Sequence, residues 1–220
     1  MKVSALVAAA GLLLAGCGAG QVGAAAVVGS NPISTSEVDA VASALCSAQS
    51  GNGTSSQKLP SRGARQGALQ ALLAAEIARQ FGHSRGLHAN QANVAQSLAN
   101  DRMGIQSLPA DDQDAFRQAL QVYAEGRLML AQVGRKALTA QGTKKISQKQ
   151  AIAAGVQKEG DFAKNLDIEV DPRFGTFRNG TLVATSGSLS VPVSSRAHNG
   201  AKAQPSVDWV SSLPQSQLCS

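Results

Sequence analysis

Aromatic residues are scarce in this chain: five Phe, one Trp and one Tyr among 220 residues. Alanine and glycine inflate its apolar fraction, and leucines are few outside two segments. Such a chain buries less apolar area than an ordinary globule of its length, which argues against a dense β-sandwich or barrel. The formal charge of +6 is modest and spread out. Lys144, Lys145 and Lys149 form its nearest approach to a basic cluster, with no aromatic residues between them on which bases could stack. That cluster reads as a solvated helix entrance, and no nucleic-acid partner is expected. Reactive patterns are missing too. No serine sits in a Gly-x-Ser-x-Gly elbow, and Gly51-Asn52-Gly53 lacks the Gly-Lys-Ser/Thr that would complete a phosphate cradle. Three histidines, His83, His88 and His198, are scattered, and Asp111, Asp112 and Asp114 lack the closing glutamate of a calcium loop. We therefore expect no catalytic residues, no metal and no cofactor.

What is present begins at the N-terminus. Met1 and Lys2 give a positive start, and Val3 to Ala15 is an apolar run too short for a stable membrane span. Small residues then lead into Leu14-Ala15-Gly16-Cys17. A positive start, a short apolar core and a small-residue cleavage site are the parts of an export signal. The cysteine at the cut resembles the lipobox of bacterial lipoproteins. That resemblance implies a signal peptide over 1–16, acylation (including palmitate) of a mature N-terminal Cys17, and an address at the cell membrane, lipid-anchored on the extracytoplasmic face. Residues 17–24 would be a membrane-proximal spacer. With Cys17 assigned to lipid, Cys46 and Cys219 remain, and an even pair in an oxidising compartment suggests one disulfide. A loop that long stabilises by about 4–5 kcal/mol in the chain-entropy model.

Beyond the spacer, Ala25 to Gly29 reads as a short strand followed by a turn over Gly29 to Pro32. Ser34-Thr35-Ser36-Glu37 fits a capping box, predicting a helix to about Gln49 that buries Val38, Val41 and Leu45. A polar Gly/Ser loop follows, and Leu59-Pro60-Ser61 opens the strongest helix, with Ser61 as its cap. Leu69, Leu72, Leu73, Ile77 and Phe81 recur at three- and four-residue intervals, and Gly82 stands where the helix should end. A weaker amphipathic segment spans about Ala89 to Met103, carrying Val94 and Leu98. Pro109 and the acids after it start a long helix reaching as far as Gln141. Phe116, Leu120, Tyr123 and Leu130 share one stripe of it, and Val122, Met129 and Val133 lie on a neighbouring face. A surface that broad requires more than one neighbour. Ser147 caps a last helix of about Gln148 to Lys164.

At Asn165 the period changes from helical to alternating. Leu166, Ile168 and Val170 fall on one side of a strand that can pair with Val27-Val28. Asn179-Gly180 marks a turn toward Leu182-Val183. From about Ser186 the chain is rich in Ser, Gly, Pro and Gln and reads as a mobile tail, with Val207 to Val210 docking on the body because Cys219 lies just beyond. The expected fold is mainly α: a multi-helix bundle or cradle over 25–184, with a small two-stranded sheet pairing N- and C-terminal segments, then a tail over 185–220.

The order of these elements resembles the SurA-type extracytoplasmic chaperones, whose peptide-binding region is related in fold to that of trigger factor. Ala26-Val27-Val28-Gly29, Pro32-Ile33-Ser34 and Glu37-Val38-Asp39 are similar to that family's opening before its first helix, although Asn31 here follows Ser30 instead of preceding the glycine. Ile168 to Phe177 is similar to the strand that ends the region in Gram-positive, lipid-anchored relatives. Many members also carry a parvulin-type prolyl isomerase domain, for which the step from the last helix into Asp171-Pro172-Arg173 leaves no room. The resemblance implies the chaperone part alone: binding of unfolded or exported polypeptides in a cradle of helices. The lining expected for such a surface is Leu72, Phe81, Phe116, Tyr123, Leu128 and Met129. Taken singly, each reads more readily as ordinary core, and only the excess of apolar faces over available neighbours favours a groove. The alternative function is a specific interaction or assembly lipoprotein of the cell envelope. A small-ligand binder is disfavoured because no repeated βα units supply two lobes around a cleft. The oligomeric state is left open.

Overall fold

A computed structural model describes residues 22–51, 58–183, 193–200, 202 and 205–219. The lipobox, the export signal, most of the Gly/Ser loop and residues 184–192 lie outside them. Among the described residues the fold is mainly helical, with two small antiparallel sheets.

Strand β1 (Ala24–Val28) turns at Gly29, where φ is +60, and returns as β2 (Asn31–Ser34). Its other edge pairs antiparallel with β3 (Ile168–Val170), matching Ala26 to Val170 and Val28 to Ile168. The pairing of N- and C-terminal segments thus follows the alternating pattern of the sequence. The sheet has three strands instead of two, in the order β2-β1-β3. Pro32 hides the extra strand from a sequence reading, yet β2 is an edge, where a missing N–H is tolerated. The second sheet is the hairpin of β4 (Thr176–Arg178) and β5 (Thr181–Val183). Its turn residues Asn179 and Gly180 both have positive φ, 52 and 79, as a two-residue type I′ turn requires.

Helix α1 (Thr35–Gly51) starts on the expected capping box. Ser34 Oγ accepts from Glu37 N–H at 3.1 Å, and Glu37 Oε2 accepts from Ser34 N–H at 2.7 Å. Val38 is fully buried and Val41 half-buried, but Leu45 is 42% exposed, against expectation. The inward stripe of α1 runs through Val38, Ala42 and Cys46. Leu45 lies one position off that stripe and over Gly67, which has no side chain to cover it.

Helix α2 (Ser61–Ser84) buries Leu69, Leu72, Leu73, Ile77 and Phe81 as its periodicity predicts. Each such side chain contributes roughly 1.5–3 kcal/mol. Both ends need correction. Pro60, not Ser61, occupies the cap position, held extended by a bridge to Leu218. The helix also runs past Gly82 to a Schellman closure, in which Gly86 N–H donates to His83 O and Leu87 N–H to Gly82 O. Gly86, at φ +67, is the residue that ends it.

The weaker segment divides at Asp101 into α3 (Gln91–Asn100) and α4 (Arg102–Gln106). Helix α5 (Ala110–Ala140) is 31 residues long, about 46 Å. It touches α1, α2, α3, α4 and α6, the several neighbours that its broad apolar surface demanded. Its inward face, however, is mostly small. Ala119, Ala124, Gly126, Ala131 and Gly134 are buried beside Met129, Leu130 and Val133, while Phe116 and Leu120 are only half-buried. Helix α6 (Gln148–Ala163), opened by a Ser147–Gln150 capping box, packs against it almost backbone to backbone. A Cβ built at Gly155 would lie 2.2 Å from Leu130 O, and one at Gly134 only 1.8 Å from Ala151 O. This is how a chain poor in bulky side chains fills its interior: small residues bring the helices close enough that few voids remain.

Where the sequence suggests a mobile tail, the described residues form α7 (Ser195–Gly200) and α8 (Val207–Ser211). Trp209 donates its Nε1–H to Arg196 O at 2.8 Å and covers Gly200. Val210, Leu213 and Leu218 form a small cluster of their own. This unit is tied to the body at Leu59, whose carbonyl accepts from Cys219 N–H at 2.9 Å, and by the Cys46–Cys219 disulfide, with Cα atoms 5.0 Å apart.

Candidate functional site

Asn90 caps α3 by accepting from Asn93 N–H at 3.2 Å, which fixes how the helix leaves the α2–α3 connection. Only Val94 of α3 is buried, so the helix leans on α5 along one narrow line. Beside that contact a groove of about 760 Å³ opens between α3 and α5, with Gln148 of α6 also in its lining. Its α3 wall carries Asn90, Asn93, Gln96 and Asn100, and Gln132 adds a further carboxamide from α5. Gln96 donates to Asn100 Oδ1 at 3.1 Å, and Gln132 to His88 O at 3.1 Å. Each of these bonds uses one of a carboxamide's several donor and acceptor positions.

The α5 wall has Tyr123, Arg127 and Arg135, with buried Ala124 and Ala131 as floor. The Arg127 guanidinium lies 5.4 Å from the Tyr123 ring centroid and donates to Tyr123 Oη at 3.0 Å. Arg135 reaches Ile146 O at 3.5 Å. Two guanidiniums against the carboxylate of Asp101 leave the groove weakly positive and rich in donors.

Six apolar or aromatic residues were the lining expected from sequence. The structure brings two of them, Tyr123 and Leu128, to the groove. Phe116 is half-buried elsewhere on α5. Leu72, Phe81 and Met129 are 6%, 1% and 1% exposed and pack inside, leaving them no surface to offer a partner. Met129 lies against Gly82, where a Cβ would come within 2.4 Å of its sulfur. Sequence reasoning passed over the carboxamides because polar residues on a helix face read as solvated. Their signal was the recurrence of Asn or Gln at positions 90, 93, 96 and 100 beside the lone buried valine.

Two polar features lie outside the groove. A pocket of about 200 Å³ is lined by Arg62, Arg65, Arg173 and Phe174. Its charges are matched internally, with Arg65 Nε 2.6 Å from Asp39 and Arg173 2.6 Å from Asp171. Glu76, only 5% exposed, accepts from Arg79, Gln80 and Asn31, which ties α2 to the β1–β2 hairpin. Burial alone would raise its pKa, but these hydrogen bonds outweigh it and hold the carboxyl below its ordinary value. The His83 and His88 rings stand 5.6 Å apart at the end of α2, and His198 is on α7. No cluster of three or more metal-ligating side chains occurs among the described residues. No helix among them is long and apolar enough to cross a membrane.

A family model, the SurA-like N-terminal domain, matches residues 1–122, more than half of the 220. The chain belongs to the SurA-like N-terminal domain family. This domain is of chaperone type and is not itself catalytic. No curated protein and no solved structure matches the chain. In this SurA-like protein the matched part reaches into α5, so the α3 wall of the groove lies within it and Tyr123, Arg127 and Arg135 beyond its end.

Proposed function

We propose that this SurA-like protein is a membrane-anchored, extracytoplasmic chaperone lipoprotein that binds unfolded or exported polypeptides without catalysis. The supporting observation is an open groove with carboxamides along one wall and guanidiniums along the other, carried by a chaperone-type domain. A volume of about 760 Å³ falls in the range of roughly 300–1,000 Å³ typical of ligand sites. Because its rims are polar and exposed above a floor of small apolar residues, it can hold and release chains of varied sequence.

Acylation of Cys17 would hold the β1 end of the protein close to the lipid surface. Cys17 is seven residues before Ala24, where β1 begins, and a link of that length reaches about 25 Å at most. Two or three acyl chains, at about 0.8 kcal/mol per buried methylene, hold such a protein firmly.

The test is suppression of aggregation of a reduced or chemically unfolded model protein by the purified chain. Suppression at near-equimolar ratio is the expected result. No effect at several-fold molar excess, or capture of one folded partner in fixed stoichiometry, refutes the chaperone reading and favours a dedicated assembly factor. For the anchor, Cys17→Ala should move the protein from the membrane to the soluble fraction and abolish incorporation of labelled palmitate; an unchanged distribution refutes it.

A further inference from the structure

We infer that the groove between α3 and α5 recognises the main chain of an extended polypeptide through side-chain carboxamides, instead of capturing its apolar side chains. This inference rests on the reading of the protein as a polypeptide binder and names what it reads.

A side-chain carboxamide carries the same N–H donors and C=O acceptor as a peptide group. It can therefore pair with a main chain whatever residues that chain bears. Asn90, Asn93, Gln96 and Asn100 line one wall, and at 1.5 Å rise per residue they extend over about 15 Å. That distance matches four to five residues of extended chain at about 3.3 Å each. On the facing wall Tyr123, Arg127 and Arg135 stand in steps of four or eight residues. A four-residue step rises about 6 Å, close to the roughly 6.6 Å at which an extended chain presents successive carbonyls on one side.

The floor agrees with this. Beside Leu128, Ala124 and Ala131 are 4% and 7% exposed and too small themselves to form a pocket for a bulky side chain. They let a flat backbone lie close to α5 while its side chains project outward. Donors outnumber carboxylates, which suits a row of carbonyl acceptors. A glycan, which also favours amide-lined clefts, is the poorer occupant. A sugar ring stacks best on an open aromatic face, and Tyr123, the one aromatic side chain of the lining, has the Arg127 guanidinium 5.4 Å from its ring centroid.

Two measurements on the full-length protein in detergent separate the possibilities. Fluorescence anisotropy is recorded with a short labelled peptide of Ser, Thr and Gln, with its copy N-methylated at alternate residues, and with an apolar-rich peptide. The unmethylated peptide should bind, and methylation should weaken it at least about tenfold by removing the backbone donors. In parallel, Asn93→Leu combined with Gln96→Leu removes two carboxamides at exposed positions while making the wall greasier. Main-chain recognition expects binding weakened by about three- to tenfold per carboxamide, with unchanged circular dichroism. Tighter binding by this variant, or equal binding of the methylated peptide beside strong binding of the apolar one, overturns the inference but leaves the polypeptide-binding reading standing. If no peptide binds, or a neutral oligosaccharide binds in place of all three, that reading falls and the inference with it.

Discussion

Gly155→Ala and Gly160→Ala place the same methyl group on the same helix, five residues apart, and should change stability in opposite directions. Replacing glycine by alanine inside a helix gains about 1 kcal/mol from propensity alone. At Gly160 nothing lies within 4 Å of the new Cβ, so that gain should be realised in full. At Gly155 the Cβ would stand 2.2 Å from the Leu130 carbonyl oxygen, with the Leu130 backbone carbon at 2.8 Å. No real Cβ tolerates such contacts, and the obstacle is helix backbone, which cannot rotate aside. Helices α5 and α6 must separate by close to an ångström along their main contact. Overpacking costs about 1–3 kcal/mol, and a backbone obstacle belongs at the upper end. The net loss is then about 2 kcal/mol once propensity is subtracted. For a chain of this size that lowers Tm by about 4–8 °C, while Gly160→Ala raises it by about 2–4 °C. Thermal melts followed by circular dichroism, with the disulfide intact, measure both. If both variants melt higher than the parent, the close approach of α5 and α6 is wrong, and so is the account of how this chain packs.

Three other perturbations probe different joints of the molecule. Reduction of Cys46–Cys219, which spans 173 residues, should cost up to about 5 kcal/mol by loop entropy; Cys46→Ser with Cys219→Ser should match the reduced parent in urea denaturation, and equal midpoints for oxidised and reduced parent would contradict it. Glu76→Ala strands the Arg79 guanidinium beside Asn31 and should cost about 3–5 kcal/mol, with the contribution of Glu76 present above its ordinary pKa of 4.5 and lost as pH falls through its lowered value; an acid limb unchanged in Glu76→Gln would count against this. Burial raises the Glu159 carboxyl to about 7, so the folded state favours its proton. Ionisation above that pH therefore costs stability, which should rise as pH falls from 7 toward 4.5 and level off below. The effect is about 1–2 kcal/mol after screening of this half-buried group. Urea titrations at mildly acidic and mildly basic pH should show that slope in the parent and lose it in Glu159→Gln, whereas equal slopes would refute it.

What the sequence made legible were features with local causes. Two serine caps, Ser34 and Ser147, announce their helices; the box read at Ser34 and Glu37 forms, and Ser147 gains one with Gln150. The stripe from Leu69 to Phe81 is buried because its three- and four-residue spacing puts those groups on one face of α2. The alternation of Leu166, Ile168 and Val170 identified the strand that joins β1. Features set by distant packing stayed hidden. Gly134 and Gly155 look like weak helix formers in a list of residues, yet they are the contact surface of α5 with α6. Gly82 has the look of a terminator but makes room for Met129, while Gly86, which does end α2, differs only in its φ. Leu45 falls a position away from the stripe that Cys46 fixes through its disulfide. At the candidate site the bias toward greasy residues pointed to Leu72, Phe81 and Met129, which the core takes. With those three inside, only Tyr123 and Leu128 of the expected lining reach the groove, and carboxamides and guanidiniums make up most of the rest of its rim.

The most direct measurement is photo-crosslinking of an unfolded client to the protein carrying a benzophenone amino acid at Gln96, in the α3 wall, or at Lys158, exposed on α6. Strong adducts from position 96 and few from position 158, with competition by excess unlabelled unfolded protein, are what a polypeptide-binding groove between α3 and α5 predicts. Equal labelling from both positions, or none from position 96 while aggregation is still suppressed, would contradict it.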